Sequence, residues 1–170
     1  IKNHINQAHP ASAVVIGGGY IGVEMAENLA KAGVNVTIVE MADHLIAPLD
    51  VDMAAEVHRY IQDQGVGLML KNGVQAIEPG KDGLKLRLSK GQLEADMVIL
   101  SVGVKPDTSL ARQAGLKTNG RGAILVDEHM RTSAEHVYAV GDAVEIQDFV
   151  TGKAGYVPVS YTHLTLPTIR

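Results

Sequence analysis

The sequence predicts an α/β fold in which a parallel sheet with helices carries an antiparallel β-meander. Three observations lead there. A valine-rich run from Ser12 to Ile16 ends in three consecutive glycines and passes at once into a helical apolar period. A second apolar run, "NVTIVE", follows that helix, so strand, glycine turn, helix and strand fill one βαβ unit of about 30 residues. Further on, "VQAIEP", "GLKLRLS" and "QLEAD" alternate apolar and polar residues between Gly80, Asp82-Gly83 and Lys90-Gly91. That is the pattern of hairpins, not of another βα unit.

Taken in order, residues 1–10 read as a linker. The run Ser12 to Ile16 is nearly continuous in apolar residues, as a parallel strand buried on both faces must be. From Tyr20 to Ala32 a helix is expected, with Ile21, Met25 and Leu29 on its inner face, Ala26 and Ala30 beside them, and Gly33 where a C-cap belongs. Glu27 and Lys31 stand as an outward i,i+4 pair. The second strand ends at Glu40. After a loop containing Pro48, Asp50 is placed to cap a helix running to about Gln64, with Met53, Val57 and Ile61 facing inward and Gly65 ending it. "GLMLK" reads as a third strand and is followed by the meander. "MVILSVG" is an apolar strand ending at Gly103, and Pro106 stops either regular element from continuing. Beyond it lie a short helix "SLARQAG", a strand "GAILVDE" and an apolar strand "HVYAVGDA" ending in Gly141-Asp142, part of a second layer.

Composition excludes several classes of function. A chain of 170 residues holds one ordinary domain, or one domain and part of a neighbour. With mixed charges and a net charge of -4, neither nucleic acid nor an anionic membrane is an expected partner. No apolar run approaches the roughly 20 residues that cross a bilayer, and the start lacks a secretory apolar region, so a cytoplasmic location is expected. The cysteine count is 0, which removes disulfides, thiolate nucleophiles and cysteine-held metals. Redox chemistry would need a bound cofactor. The histidines are scattered without metal-ligand spacing, so no metal is expected; His58 and His136 read as surface or partly packed residues. No G-x-S-x-G elbow supports a hydrolase. The first methionine is Met25, and the chain reads as a portion of a longer protein.

Gly17, Gly19 and Gly22 have the G-x-G-x-x-G spacing. The first allows a tight turn, the second lets backbone approach a pyrophosphate, and the third lets helix and strand pack closely. Free N–H groups at the helix start would bind the phosphates. The spacing alone is weak, but here it follows a strand, opens a helix and precedes Glu40 at the end of the second strand. That context predicts a Rossmann-like NAD(H)-binding domain over residues 11–103. A carboxylate accepts hydrogen bonds from a free ribose 2'-OH and repels a 2'-phosphate, so Glu40 favours NAD over NADP. The following "MADH" supplies no arginine; a protonated His44 is the one cation that could soften the repulsion.

With loop, meander, "LSVGVKPDTSLA" and "TSAEHVYAVGDA" placed in order, the chain resembles the flavin-dependent pyridine nucleotide-disulfide oxidoreductases from about Ala11 to Pro158. "GGGYIGVEMAENL", "GVKPDTSLA" and "VDEHMRTS" are similar to the branch of CoA-disulfide reductases, NADH oxidases and NADH peroxidases. The resemblance implies an FAD domain interrupted by an NAD domain and followed by a dimerisation domain, with this chain from the middle and the whole protein a homodimer. It implies that residues 104–158 return into part of the FAD-binding domain. Gly17, Gly19, Ile21, Gly22, Glu40 and Gly103 would then line the nicotinamide nucleotide. Tyr20 matches an aromatic position over the flavin, or is simply an exposed first-turn residue. Glu24 matches a carboxylate near flavin and nicotinamide, or favours the helix dipole from the first turn. Asp142 would accept a hydrogen bond from the ribityl chain of FAD.

The resemblance thus implies both NADH and FAD as cofactors and a small-molecule substrate. It puts no catalytic residue in this stretch, because the redox cysteine and the first FAD loop have no match; alone, the chain should not turn over. Residues 159–170 depart from the family, are similar to a translated sequencing adapter, and are expected to be a non-native tail. A reading from another class stands beside this one: a non-catalytic NAD(H)-binding sensor or regulatory module.

Overall fold

The computed structural model describes residues 1–81, 83–148 and 150–155. The chain divides into two compact units, Ile1–Gly103 and Val104–Arg170. In the first, the elements run α1 (Lys2–Ala8), β1 (Ser12–Ile16), α2 (Tyr20–Lys31), β2 (Asn35–Val39), α3 (Val51–Asp63) and β3 (Gly67–Met69). The strands β4 (Val74–Pro79), β5 (Leu84–Leu88), β6 (Gly91–Ala95) and β7 (Met97–Leu100) follow.

A parallel sheet forms in the order β3-β2-β1-β7. Strand β1 is internal: Val14 lies opposite Thr37 on one side and Val98 on the other. Its apolar run follows from what covers its two faces. Ala13 and Val15 join Ala26 and Leu29 of α2 and Ile61 of α3 in one buried cluster. Val14 and Ile16 join Leu86 and Leu88 of β5 and Ala95 of β6 in a second. Helices therefore cover one face and the antiparallel sheet β4-β5-β6 covers the other. A fully buried side chain such as Leu86 contributes about 1.5–3 kcal/mol to that docking.

Two polar devices fasten the layers. Buried Asn72 accepts the Lys90 N–H at 2.9 Å and the Ser89 hydroxyl at 3.0 Å, pinning the β5–β6 turn to the chain leaving β3. Asp96, just before β7, accepts the Ser12 N–H at 2.8 Å and the Ser12 hydroxyl at 3.0 Å at the start of β1. The Ser12 N–H, then its hydroxyl, holds the Asp96 carboxyl below the usual carboxylate range. A depressed pKa gives stability that is present above the unfolded value and lost as pH falls through the folded one. Asp96→Asn is therefore expected to flatten the acid limb of a Tm-against-pH curve below about pH 4. An unchanged acid limb would remove this role from Asp96.

Several sequence expectations need correction. Residues 1–10, read as a linker, contain α1, whose Ile5 packs against the core. The inner face of α2 is Gly22, Ala26 and Leu29, while Ile21 is 52% exposed. Small residues at two of those positions bring the helix close to the sheet and turn the face starting at Ile21 outward. On α3 the inward set is Ala54, Val57 and Ile61, and Met53 is 58% exposed, one residue out of phase. Asp50 occupies the N-cap of α3 but makes no side-chain cap bond. Glu27 and Lys31 pair as expected at 2.6 Å, and the Tyr60 hydroxyl also donates to Glu27 at 2.8 Å, tying α3 to α2.

The second unit contains α4 (Ser109–Gln113), β8 (Ile124–Leu125), β9 (Val144–Gln147) and β10 (Ala154–Gly155). Its sheet has the order β10-β9-β8. The expected strand "HVYAVGDA" does not form. Tyr138, 61% exposed, makes only an isolated bridge to Arg131, and the ladder to β8 starts later, at Val144. An apolar run becomes a strand only where a partner backbone meets it, and here Ile124 N–H donates to the Ala143 carbonyl beyond the Gly141 turn. Buried Thr108 donates to the Gly122 carbonyl at 2.5 Å and fixes the start of α4.

Candidate nucleotide site

The glycine loop joins β1 to α2 at the carboxyl end of the parallel sheet, the edge where ligands of open α/β sheets bind. Its glycines have different physical reasons. Gly17 has φ +104°, and a Cβ there would lie 2.2 Å from the Ser101 carbonyl oxygen, just after β7. A Cβ on Gly22 would lie 2.0 Å from the Gly17 carbonyl oxygen. Both are demanded by the chain itself.

Gly19 is not. Its φ of -73° and ψ of 179° suit any residue, and a Cβ there would meet nothing within 4 Å. It is the N-cap of α2 and supplies no side-chain cap bond. Open backbone at a helix N-terminus, with uncapped N–H groups, is the geometry that receives an anionic group.

Gly18, between them, is held at both polar atoms. Its N–H donates to Glu40 Oε2 at 2.6 Å, and its carbonyl accepts the Ile46 N–H at 2.7 Å. Glu40 Oε1 accepts the Ala42 N–H at 2.7 Å, so the carboxylate is fixed beside the loop. An ionised carboxylate has about four acceptor positions, so roughly two remain for a ligand hydroxyl. Ile46 makes its bond from an unusual backbone, φ +53°, a β-branched residue in the left-handed region at a cost of about 1–3 kcal/mol. Burial of Leu45 and Ile46 holds it there, with Leu45 Cδ2 only 2.4 Å from where a Gly18 Cβ would be. The Leu45 N–H in turn donates to His58 Nε2 of α3 at 2.9 Å.

His44, the one side chain that could soften the repulsion of a 2'-phosphate if protonated, is paired with Asp43. Its side chain is 15% exposed, with Nδ1 on Asp43 Oδ1 at 2.7 Å and Nε2 buried without a partner. The Asp43 carboxylate pushes the His44 pKa up against the opposing effect of burial. Burial pushes His58 down, with His44 adding to it.

The structure thus brings Gly17, Gly19, Gly22 and Glu40 together. Tyr20, 51% exposed, and Ile21 stand on the first turn of α2. Glu24 is exposed beyond the first turn, where the helix dipole has largely faded, so the dipole does not explain it. Gly103, φ +101°, follows exposed Leu100 and Val102 beyond β7. Asp142 lies in the second unit, exposed in the turn after Gly141, φ +88°. Among the described residues no group of three metal-ligating side chains gathers, and no helix is long and apolar enough to cross a membrane. Sequence reasoning passed over Leu45, Ile46 and the ring nitrogen of His58. The signal available was the adjacent pair of large apolar residues Leu45 and Ile46 inside the loop that contains Pro48.

A dinucleotide-binding α/β unit with an acidic second-strand terminus is the class these features define. The chain belongs to the pyridine nucleotide-disulphide oxidoreductase family, which matches residues 2–161. It is 40% identical to the NADH oxidase of Methanocaldococcus jannaschii, over 93% of this chain and 35% of that protein. Among solved structures, reduced CoADR-RHD of Bacillus anthracis superposes with a TM-score of 0.88 at 45% identity, covering 95% of this chain and 29% of that one. The water-forming NADH oxidase of Lactobacillus brevis bound to NADH gives a TM-score of 0.84 at 29% identity, covering 94% and 36%. The chain spans about a third of the length of the curated relatives it matches. Members of the family use FAD and a pyridine nucleotide. Residues 159–170, expected to be a non-native tail, lie outside the described residues.

Proposed function

We propose that residues 11–103 are the NAD(H)-binding domain of an FAD-dependent oxidoreductase and that residues 104–158 are a partial return into its FAD-binding domain. The carboxylate of Glu40, fixed 2.6 Å from Gly18 N beside the open backbone of Gly19, carries this reading. Gly19 and the first N–H groups of α2 receive the pyrophosphate, and Gly17 and Gly22 hold the loop in the shape that exposes them. Glu40 accepts a ribose hydroxyl and repels a 2'-phosphate. Ile21 and Gly103 line the nicotinamide nucleotide, Tyr20 lies over the flavin, Glu24 lies near flavin and nicotinamide, and Asp142 accepts from a ribityl hydroxyl of FAD. NADH supplies a hydride to the flavin, which in the whole protein passes electrons to a disulfide, peroxide or oxygen acceptor. With a cysteine count of 0, these residues supply no thiol for that last step, and the chain alone is expected to be inactive.

Calorimetric titration of the chain with NADH and NADPH tests the reading. NADH is expected to bind at least about tenfold more tightly, a difference of about 1.4 kcal/mol. Glu40→Gln removes the charge while keeping an acceptor oxygen for Gly18, and is expected to narrow that ratio. Equal affinity of the unsubstituted chain for NADPH would sink the assignment of Glu40.

A further inference from the structure

We propose that neutral His58 is a positioning residue for the glycine loop, acting through the Leu45–Ile46 turn. An unbroken chain of hydrogen bonds and covalent links runs from His58 to the loop. His58 Nε2 accepts the Leu45 N–H at 2.9 Å, and the next residue, Ile46, donates to the Gly18 carbonyl at 2.7 Å. Gly18 N–H is held from the other side by Glu40 at 2.6 Å, so the central glycine is gripped at both its polar atoms. Ile46 can hold its left-handed backbone only while its neighbours over-determine it. Leu45, fully buried, supplies the apolar part of that restraint, and His58 supplies the polar part.

The role requires one protonation state. Nε2 accepts only when the proton sits on Nδ1; an imidazolium has no free lone pair and cannot take the Leu45 N–H. The surroundings favour the neutral form. His58 is half-buried on α3, which disfavours its cation, and from the loop side the histidine facing it is His44. Asp43, 2.7 Å from His44 Nδ1, raises the His44 pKa, and whenever His44 carries its proton it disfavours a second positive charge on His58. On α3 itself, Arg59 pairs with Glu56 on the exposed side. Because the folded pKa of His58 is depressed, the latch is complete above the unfolded value near 6.5 and is lost as pH falls through the folded value.

For its effect on ligand affinity, though not for the latch itself, this proposal rests on the loop being the NADH site. The test therefore reads both. Hydrogen-exchange NMR on the full chain follows the Leu45 and Ile46 amides, with protection factors corrected for intrinsic pH dependence, alongside NADH affinity from pH 5 to 8. In the unsubstituted chain, protection of both amides is expected to fall by about tenfold or more as His58 protonates, with NADH affinity falling over the same range. His58→Leu, which cannot accept, is expected to lose that protection at every pH. His58→Gln, whose amide oxygen replaces Nε2, is expected to restore it and to abolish its pH dependence. Full protection in a folded His58→Leu chain, or a pH profile unchanged in His58→Gln, overturns the latch. Protection that behaves as expected in a chain that binds no NADH would keep the latch and overturn the nucleotide reading instead.

Discussion

Gly22→Ala is expected to destabilise the first unit by about 3 kcal/mol and to abolish measurable NADH binding. The added methyl would sit 2.0 Å from the Gly17 carbonyl oxygen. An overpacked core side chain can escape into another rotamer, and such changes cost roughly 1–3 kcal/mol. Here the obstacle is backbone, so the upper end of that range applies. Relief would require moving α2 off the sheet, which opens the contacts of Ala26 and Leu29, or moving Gly17. Gly17 cannot give way easily either. It stands at φ +104° and its own Cβ position is 2.2 Å from the Ser101 carbonyl, so loop, helix and the end of β7 are mutually locked. Gly17→Ala should therefore be at least as damaging. For a unit of this size, about 3 kcal/mol corresponds to a fall in Tm of about 12 °C or more. Thermal unfolding by circular dichroism measures it, and a loss below about 1 kcal/mol would mean that the loop relaxes more freely than this geometry allows.

That lock explains which parts of the molecule were legible in the sequence. The parallel sheet and the glycine loop could be read because their causes are local. A strand buried on both faces is apolar at nearly every position, as Ala13 to Ile16 are, and close backbone approach selects glycine at Gly17 and Gly22. The meander could be read because each hairpin alternates and turns on its own. Helix phase was less legible. Ile21 and Met53 fit an apolar face by spacing, yet packing selected the faces through Gly22 and Ala54, where small side chains permit close approach. The apolar run at Val137 to Val140 misled for a related reason, since hydrophobicity does not supply a partner strand. Glu40 was legible as an acidic strand end, but its bonds to Gly18 and Ala42 were not. Least legible was the turn at Leu45 and Ile46. Its left-handed isoleucine violates local preference and is met by tertiary contacts, the burial of Leu45 and Ile46 together with their bonds to His58 and Gly18.

Gly19→Ala is expected to separate binding from stability. Its backbone, φ -73° and ψ 179°, is open to alanine, and the new methyl would have no protein atom within 4 Å. Two stability effects oppose each other. Alanine is a poorer N-cap than glycine, by about 0.5–1 kcal/mol, whereas restricting the unfolded chain returns about 0.4–1 kcal/mol. The net change should stay within about 0.5 kcal/mol, and the Tm should scarcely move. Binding should respond very differently. The methyl would occupy the space through which a pyrophosphate reaches the first N–H groups of α2, and hydrogen bonds to a charged partner contribute about 1.5–3 kcal/mol each. Losing one or more of them weakens NADH by about 10- to 150-fold. The contrast with Gly22→Ala is the decisive part, because both substitutions add one methyl to the same loop. At Gly22 the chain forbids it; at Gly19 only the proposed pyrophosphate would meet it. A Gly19→Ala chain that melts normally but binds NADH as tightly as the unsubstituted chain would show that the open space at the start of α2 is not where the phosphates lie.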